Sequence, residues 1–473
     1  MRLSLLAVPL VLAALLALPA AAQGPVRGGA LPPPAPLFPP DNWWNVDLST
    51  APVDPNSAGF LGFIGLTDGI HPDWGGDSSP APEIYGMVYM TVPGTQPLEP
   101  VAFDYASQSD VGAPGRPPGY PIPVEAKTQP KWIEGGYPGN SGVGGDRHIL
   151  IVDRDNRLLF ETWATRCVPS GSPSCTWEAG SGAVFSIDSN QRRPDGWTSA
   201  DASGLAILPG LVRYDEAYGT EPIRHAFRFT VHAVNGYVFP ASHDATTSSD
   251  PNSPPLGARL RLKPGVTPTI PGDATPSDVA AINRVVAALK TYGLIVADNG
   301  TDMYVQGAYD SRWDNGVWNP AMGSLRAQDF EVIQLGWRPS SSAPAVATKF
   351  HTLSPCRLLD TRTAAGPYGG PGIAPGGQRV FVAKDRCGVP ATARALSLNV
   401  TAVGGTGAGD FRFFAGDAEA PLASSVNFRA GQVRANNLIV RLAASGSGAF
   451  AVQHDGNASA AHLVVDVNGF FQE

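Results

Sequence analysis

After residue 22 the chain has no apolar run approaching the ~18 residues that a helix needs to span a bilayer. Charge is scarce too. Asp, Glu, Lys and Arg make up 16% of the 473 residues, the formal net charge is −8, and no basic cluster occurs. Nucleic-acid binding rests on concentrated Lys and Arg, so this composition argues against such a partner. HExxH, GxSxG and Walker-type loops are all missing, which removes the commonest zinc-hydrolase, serine-hydrolase and nucleotide signatures. Cysteine is limited to four residues in two pairs, Cys167 with Cys175 and Cys356 with Cys387. Neither pair has the two-to-four-residue gap of a zinc knuckle, and in an exported chain each is expected to form a disulfide. Glycine (54) and proline (46) are plentiful instead, a balance that favours a mainly β, loop-rich protein.

The N-terminus reads as a signal peptide. Residues 1–22, "MRLSLLAVPLVLAALLALPAAA", join one basic residue to a long apolar stretch and a small-residue end, with cleavage expected after Ala22. A retained membrane anchor is the alternative. Residues 23–39 form a Pro-rich leader, read as too stiff and too poor in donors to join a sheet, so order is expected to begin near "DNWWNVDLS". About 450 remaining residues suggest two or three domains. A linker at 338–349 ("RPSSSAPAVATK") divides a catalytic β-rich domain, 40–337, from an accessory β-sandwich domain, 350–473.

Within the large domain "TPSDVAAINRVVAALKTYG" predicts a helix, with Thr275 as N-cap, Pro276 at its first position and Gly293 closing it. The runs "RHILIVD", "RLLFETW", "IRHAFRFTVH" and "ARLRLK" alternate at period two and predict strands. The expected fold is therefore α+β but mainly β: an antiparallel β-sandwich or jelly-roll-like domain with one late helix. In the C-terminal part, "ALSLNVTAV", "FRFFAG", "SSVNFRAG", "NNLIVRLAA", "GAFAVQHDG" and "AHLVVDVNGFF" predict an all-β sandwich.

Three stretches carry candidate chemistry. In "DRHILIVDRDNRLLFETW" a turn centred on Arg154 and Asp155 would pair Val152 with Arg157, Leu150 with Leu159, and His148 with Glu161. Any even-length loop keeps His148 and Glu161 on one face. Such a pair on an apolar face is either a tuned acid/base pair or a structural hydrogen bond across two strands. In "LVRYDEAYGTEPIRHAFRFTVH", His225 falls on the apolar side with Ile223, Phe227, Phe229 and Val231, and His232 faces solvent. Asp215 and Glu216 precede that strand, facing a cleft or solvating a loop. The polar span Ser186–Gly210 offers Asn190, Asp201 and Trp197, whose ring suits stacking on a sugar or plugging a core edge. "DNGTDMYVQGAYDSRWDNG" (298–316) lacks EF-hand spacing; calcium there is kept as an alternative to no cofactor. "HPDWGGD" (71–77) is a turn or part of a metal site.

The large domain resembles a family of secreted bacterial and fungal proteins of poorly defined activity. The resemblance spans about Pro40 to Gly336 and is carried by "GDRHILIVDRDNRLLFETW", "AGSGAVFSIDSN", "RPDGWTSADASGLAILPGLVRYDEA", "IRHAFRFT" and "KTYGLIVADNG". It implies that Asp146, His148, Glu161, the Asp215–Glu216 pair and His225 form one constellation. "ASHDATTSS" departs from the pattern at the residue before His243. The C-terminal part resembles a small β-sandwich accessory domain of exported bacterial proteins, through "CRLLDTR", "ALSLNVTAV", "NFRAGQVRANNLIV" and "HLVVDVNGFF". That likeness implies surface or carbohydrate attachment.

The functional expectation is an exported carbohydrate-active enzyme acting on a polysaccharide or cell-envelope glycan. As a glycoside hydrolase it would use Glu161 and Glu216, with Asp201 as substitute, and Asp146 and His148 tuning them. Trp197 and Asn190 would contact sugar. As a lyase it would use His225 or Tyr214 as base, with Arg213 neutralising a substrate carboxylate. The alternative is a non-catalytic surface or matrix protein.

Overall fold

The computed structural model describes residues 24–33, 35–111, 117–339, 348–418, 420–421, 423–444, 446–456 and 459–472. The expected signal segment, 1–22, and residues 340–347 of the expected linker lie outside these. The fold is mainly β. Among the described residues there are six sheets and five α-helices: α1 (Ser57–Ile64), α2 (Glu125–Thr128), α3 (Tyr214–Ala217), α4 (Pro276–Thr291) and α5 (Asn315–Gly323). None is long and apolar enough to cross a membrane.

Four of the sheets lie in the large domain, and the two larger ones position the candidate residues. One has the strand order Val26–Arg27, Tyr89–Val92, Ile149–Asp153, Leu158–Trp163, Ser181–Ser186. The other runs Phe330–Val332, Arg259–Leu262, Leu294–Asn299, Phe227–Val231, Tyr304–Gln306, His71–Asp73. Leu150, Val152, Leu159 and Ala183 from the first share a core with Ile295 from the second and with Ala226, which precedes the strand Phe227–Val231; Leu205–Leu208 belong to the same core. The four strands read from period-two runs are present, but most of their residues are buried on both sides, Arg228, Arg259 and Arg261 included. A strand covered on both faces need not alternate.

Most strand neighbours of the large domain pair antiparallel, as expected, and parallel pairs are interspersed among them. Tyr89–Val92 pairs parallel with Ile149–Asp153, and Phe227–Val231 pairs parallel with Leu294–Asn299. Parallel neighbours need a crossover that carries the chain back to the starting end, and α4 lies on the one between Phe227–Val231 and Leu294. The Thr275 hydroxyl accepts from the Asp278 N–H and the Asp278 carboxylate accepts from the Thr275 N–H, a reciprocal cap. Past the C-cap Tyr292 the chain turns at Gly293, where φ is +73° and a Cβ would lie 2.1 Å from the Leu260 carbonyl oxygen.

The leader reading is corrected. Val26 and Arg27 pair antiparallel with Thr91 and Met90, and Leu37 and Phe38 are buried. The prolines in this region flank a proline-free pair that retains its N–H donors. The hairpin register differs by two residues from the expected one: Leu150 opposes Glu161 and Val152 opposes Leu159. The Asp153 carboxylate accepts from the Asp155 and Asn156 N–H groups, which stabilises a four-residue connection, Arg154–Arg157. The loop remains even in length, so His148 and Glu161 keep the same side parity.

From Lys349 onward the chain forms a sandwich. One four-stranded sheet has the order Lys349–Asp360, His462–Gln472, Ala395–Val403, Val433–Arg441; the other, Gln378–Val382, Ala449–Gly456, Gly409–Ala415, Val426–Phe428. Its core takes Leu396, Leu398 and Val465 from one sheet and Phe381, Phe411 and Phe450 from the other. Both disulfides are formed, Cys167–Cys175 and Cys356–Cys387.

Candidate functional site

The candidate residues fall into two neighbouring clusters. The first is buried. His148 Nδ1 lies 2.6 Å from Glu134 Oε2, which also accepts from the His148 N–H at 3.0 Å, and His148 Nε2 lies 3.1 Å from the Ala200 carbonyl. Burial opposes a charge on this imidazole, but the Glu134 carboxylate outweighs it and raises the pKa to about 9. The expected His148–Glu161 hydrogen bond is not made. Glu161 is 0% exposed and its carboxylate accepts from the Ile207 and Leu208 N–H groups at 2.8–3.0 Å. Burial raises its pKa to about 7 against those two donors, and the Asp201 charge adds to the rise.

Asp201 is also buried and takes Arg228 Nε at 3.0 Å through Oδ2. Asp298 joins the same group, its pKa raised to about 7 by burial and by Asp201 against the pull of Arg228. Asp73 is raised by burial and by Glu134. One guanidinium thus stands among several carboxyl groups, two of which hold their protons to about neutrality.

The second cluster begins one peptide away. The Leu208 N–H donates to Glu161, while the Leu208 carbonyl accepts from Arg213 Nη1 at 3.3 Å. Arg213 in turn holds Glu216 in a short ion pair, and His225 Nε2 lies 3.2 Å from the other Glu216 oxygen. Burial alone would raise the Glu216 pKa, but Arg213 and His225 bring it down to about 2. His225 is 1% exposed and its Nδ1 faces the Ala226 carbonyl at 2.9 Å. Arg213 and Tyr214 carry this cluster to the surface.

There they line a cavity of about 400 Å³ with Arg27, Tyr89, Asp215, Tyr309, Asp310 and Arg312. Arg312 Nη2 binds Asp215 at 2.8 Å and Asp310 at 2.5 Å, and its guanidinium lies 4.1 Å from the centroid of the Tyr214 ring. That ring stacks on Tyr218 at 4.3 Å. Tyr218 is itself fixed, donating to Asp278 at 2.6 Å and accepting from the Trp318 indole at 3.0 Å. The Tyr214 hydroxyl makes no hydrogen bond among the described residues. Arg27 lies 5.9 Å from the Tyr309 ring and donates to the Pro130 and Lys131 carbonyls, not to a carboxylate.

Glu161 and Glu216 therefore do not flank one opening: Glu161 is sealed, and the Leu208 peptide lies between them. The other candidates are peripheral. Asp146 accepts from the Trp163 indole at 3.0 Å. Asn190 holds Asp41 and Asn42, and the half-buried Trp197 ring lies 5.4 Å from the Arg193 guanidinium. Among the described residues no group of three or more His, Cys, Asp or Glu side chains is arranged to hold a metal ion. In the stretch read for calcium, Asp302 takes His232, Asp310 takes Arg312 and Asp314 caps α5. In "HPDWGGD", His71 stacks on Tyr304 and Asp77 takes Lys131.

Sequence reasoning missed Glu134, Arg228, Asp310 and Arg312. Arg228 had a signal: a strand covered on both faces turns its second set of side chains inward as well.

No protein-family model matches this chain, and no curated protein matches it. Among solved structures it is similar to the tobacco streak virus coat protein dimer, at 10% identity over 27% of this chain and 89% of that one, with a TM-score of 0.15. A second crystal form of that coat protein gives 11% identity over 27% and 90%, with a TM-score of 0.14. Likenesses this low carry no argument about fold or function.

Proposed function

We propose that the large domain is an exported carbohydrate-active enzyme that cleaves an acidic polysaccharide by elimination, with the Arg213–Tyr214–Arg312 cavity as its glycan site. The supporting observation is one wall that joins guanidinium groups to a phenol with no hydrogen bond among the described residues. In such an elimination a base removes the proton α to the uronate carboxylate. The bond to the leaving glycosidic oxygen breaks, a carbon–carbon double bond forms, and the departing oxygen takes up a proton. Tyr214 is assigned as base, and Arg213 and Arg312 as the groups that offset the substrate carboxylate. Glu216 and His225 are positioning residues that hold Arg213.

Hydrolysis has less support, because it needs one protonated and one ionised carboxyl group beside the scissile bond. Glu161, neutral up to about pH 7, has no exposed surface, and Glu216 is ionised down to about pH 2. Export is supported by the signal-like residues 1–22 and the two disulfides. A second reading, a non-catalytic glycan-binding surface protein, draws support from the two cavity carboxylates, since Arg312 already engages both.

The test is to incubate the full chain with neutral and uronate-containing polysaccharides, following new reducing ends and the ultraviolet absorbance of unsaturated sugars. Unsaturated products from uronate chains support elimination. Reducing ends without unsaturation would move the chemistry to hydrolysis. Binding without turnover across the panel would favour the surface-protein reading.

A further inference from the structure

Arg259 is a buried cation with no anion paired to it among the described residues. It lies on the strand Arg259–Leu262, opposite Ile295, and is 5% exposed. The other arginine of that strand, Arg261, is answered by the Glu331 carboxylate and the Leu48 carbonyl. Arg259 is not: its Nε and Nη1 are buried with no hydrogen-bond acceptor among the described residues. Around it stand a ring and a second cation. The Phe239 centroid lies 5.9 Å from the Arg259 guanidinium and 3.6 Å from that of Arg338. Trp43 meets Phe239 edge-on at 6.1 Å, and its indole N–H is also buried without an acceptor. Burial and the Arg338 charge together push the Arg259 pKa down to about 10.

A desolvated guanidinium with open donors and a like charge nearby is costly, and the chemistry that relieves it is an oxyanion accepting from the planar donors. We infer that Arg259, with Arg338 beside Phe239, forms a binding site for one small oxyanion: a carboxylate, sulfate or phosphate group. None of these residues lines the Tyr214 cavity, so the site does not depend on the activity proposed there. The group could arrive as a free ion or as the acid function of a sugar.

Thermal unfolding of the full chain decides this, with sulfate, phosphate, acetate or glucuronate titrated against sodium chloride at matched ionic strength. A ligand that binds only the folded state raises Tm with a saturable dependence on its concentration. The wild type is expected to show that increment for at least one oxyanion. Arg259→Met should lack it while keeping the general salt response, and Arg338→Gln, a surface change, should saturate at several-fold higher concentration. Glucuronate saturating below acetate would identify a sugar acid as the ligand, and sulfate or phosphate saturating lowest would identify a free ion. If no oxyanion exceeds chloride, or if Arg338→Gln and wild type respond identically, the site does not exist; the second comparison holds even if Arg259→Met fails to fold.

Discussion

Glu161 shows how a residue suited to acid catalysis by type can be structural by placement. Its proton is held more tightly in the folded chain (about 7) than in the unfolded one (4.5). The associated stability is complete below pH ~4.5 and is lost as the pH rises through about 7. Asp298 and His148 act in the same direction, toward about 7 and about 9. Glu161→Gln should therefore flatten the decline in denaturant midpoint between pH 4.5 and 7, and an unchanged slope would contradict the account. Glu216 runs the opposite way. Held at about 2, it contributes stability above pH ~4.5 that is lost as the pH falls through about 2. Glu216→Gln should cost about 1.5–3 kcal/mol at pH 7 and almost nothing near pH 2, measured by urea unfolding. The sequence showed that His148 sits on an apolar face beside Glu161's strand. It did not show Glu134, which reaches His148 from a loop 14 residues upstream; period-two reasoning has no term for loops.

At the scale of elements, α4 was legible because its start is chemical: Thr275, Pro276 and Asp278 specify a first turn whatever surrounds it. Thr275→Ala should cost about 1 kcal/mol in equilibrium unfolding. Asp278→Ala should cost more, since the Tyr218 hydroxyl also depends on that carboxylate and Tyr218 supports Tyr214. The parallel pairing of Phe227–Val231 with Leu294–Asn299 was not legible, because apolar runs do not encode direction. The hairpin register slipped by two for a local reason, Asp153 drawing Asp155 and Asn156 into a wider turn. The even length of that turn preserved the face.

Across the whole molecule, the apolar residues of the C-terminal sandwich form a cluster that shares no member with those of the large domain. Calorimetry should resolve two transitions. Replacing both Cys356 and Cys387 by Ala should destabilise only one of them, on the order of 3–4 kcal/mol for a 31-residue separation. The sandwich was readable because its short runs alternate and are punctuated by Gly, Asn and Asp. The candidate cavity was not, because it gathers Arg27, Tyr89, Tyr214, Tyr309 and Arg312 from segments far apart in the chain. The most direct test of the proposed chemistry is the initial rate of unsaturated-product formation from a polyuronate by wild type and Tyr214→Phe, with Tm compared in parallel. Loss of a general base predicts a fall of roughly 10²–10⁴-fold at unchanged Tm. A Tyr214→Phe enzyme that retains wild-type rates, or a wild type that forms no unsaturated product from any polyuronate, would contradict it.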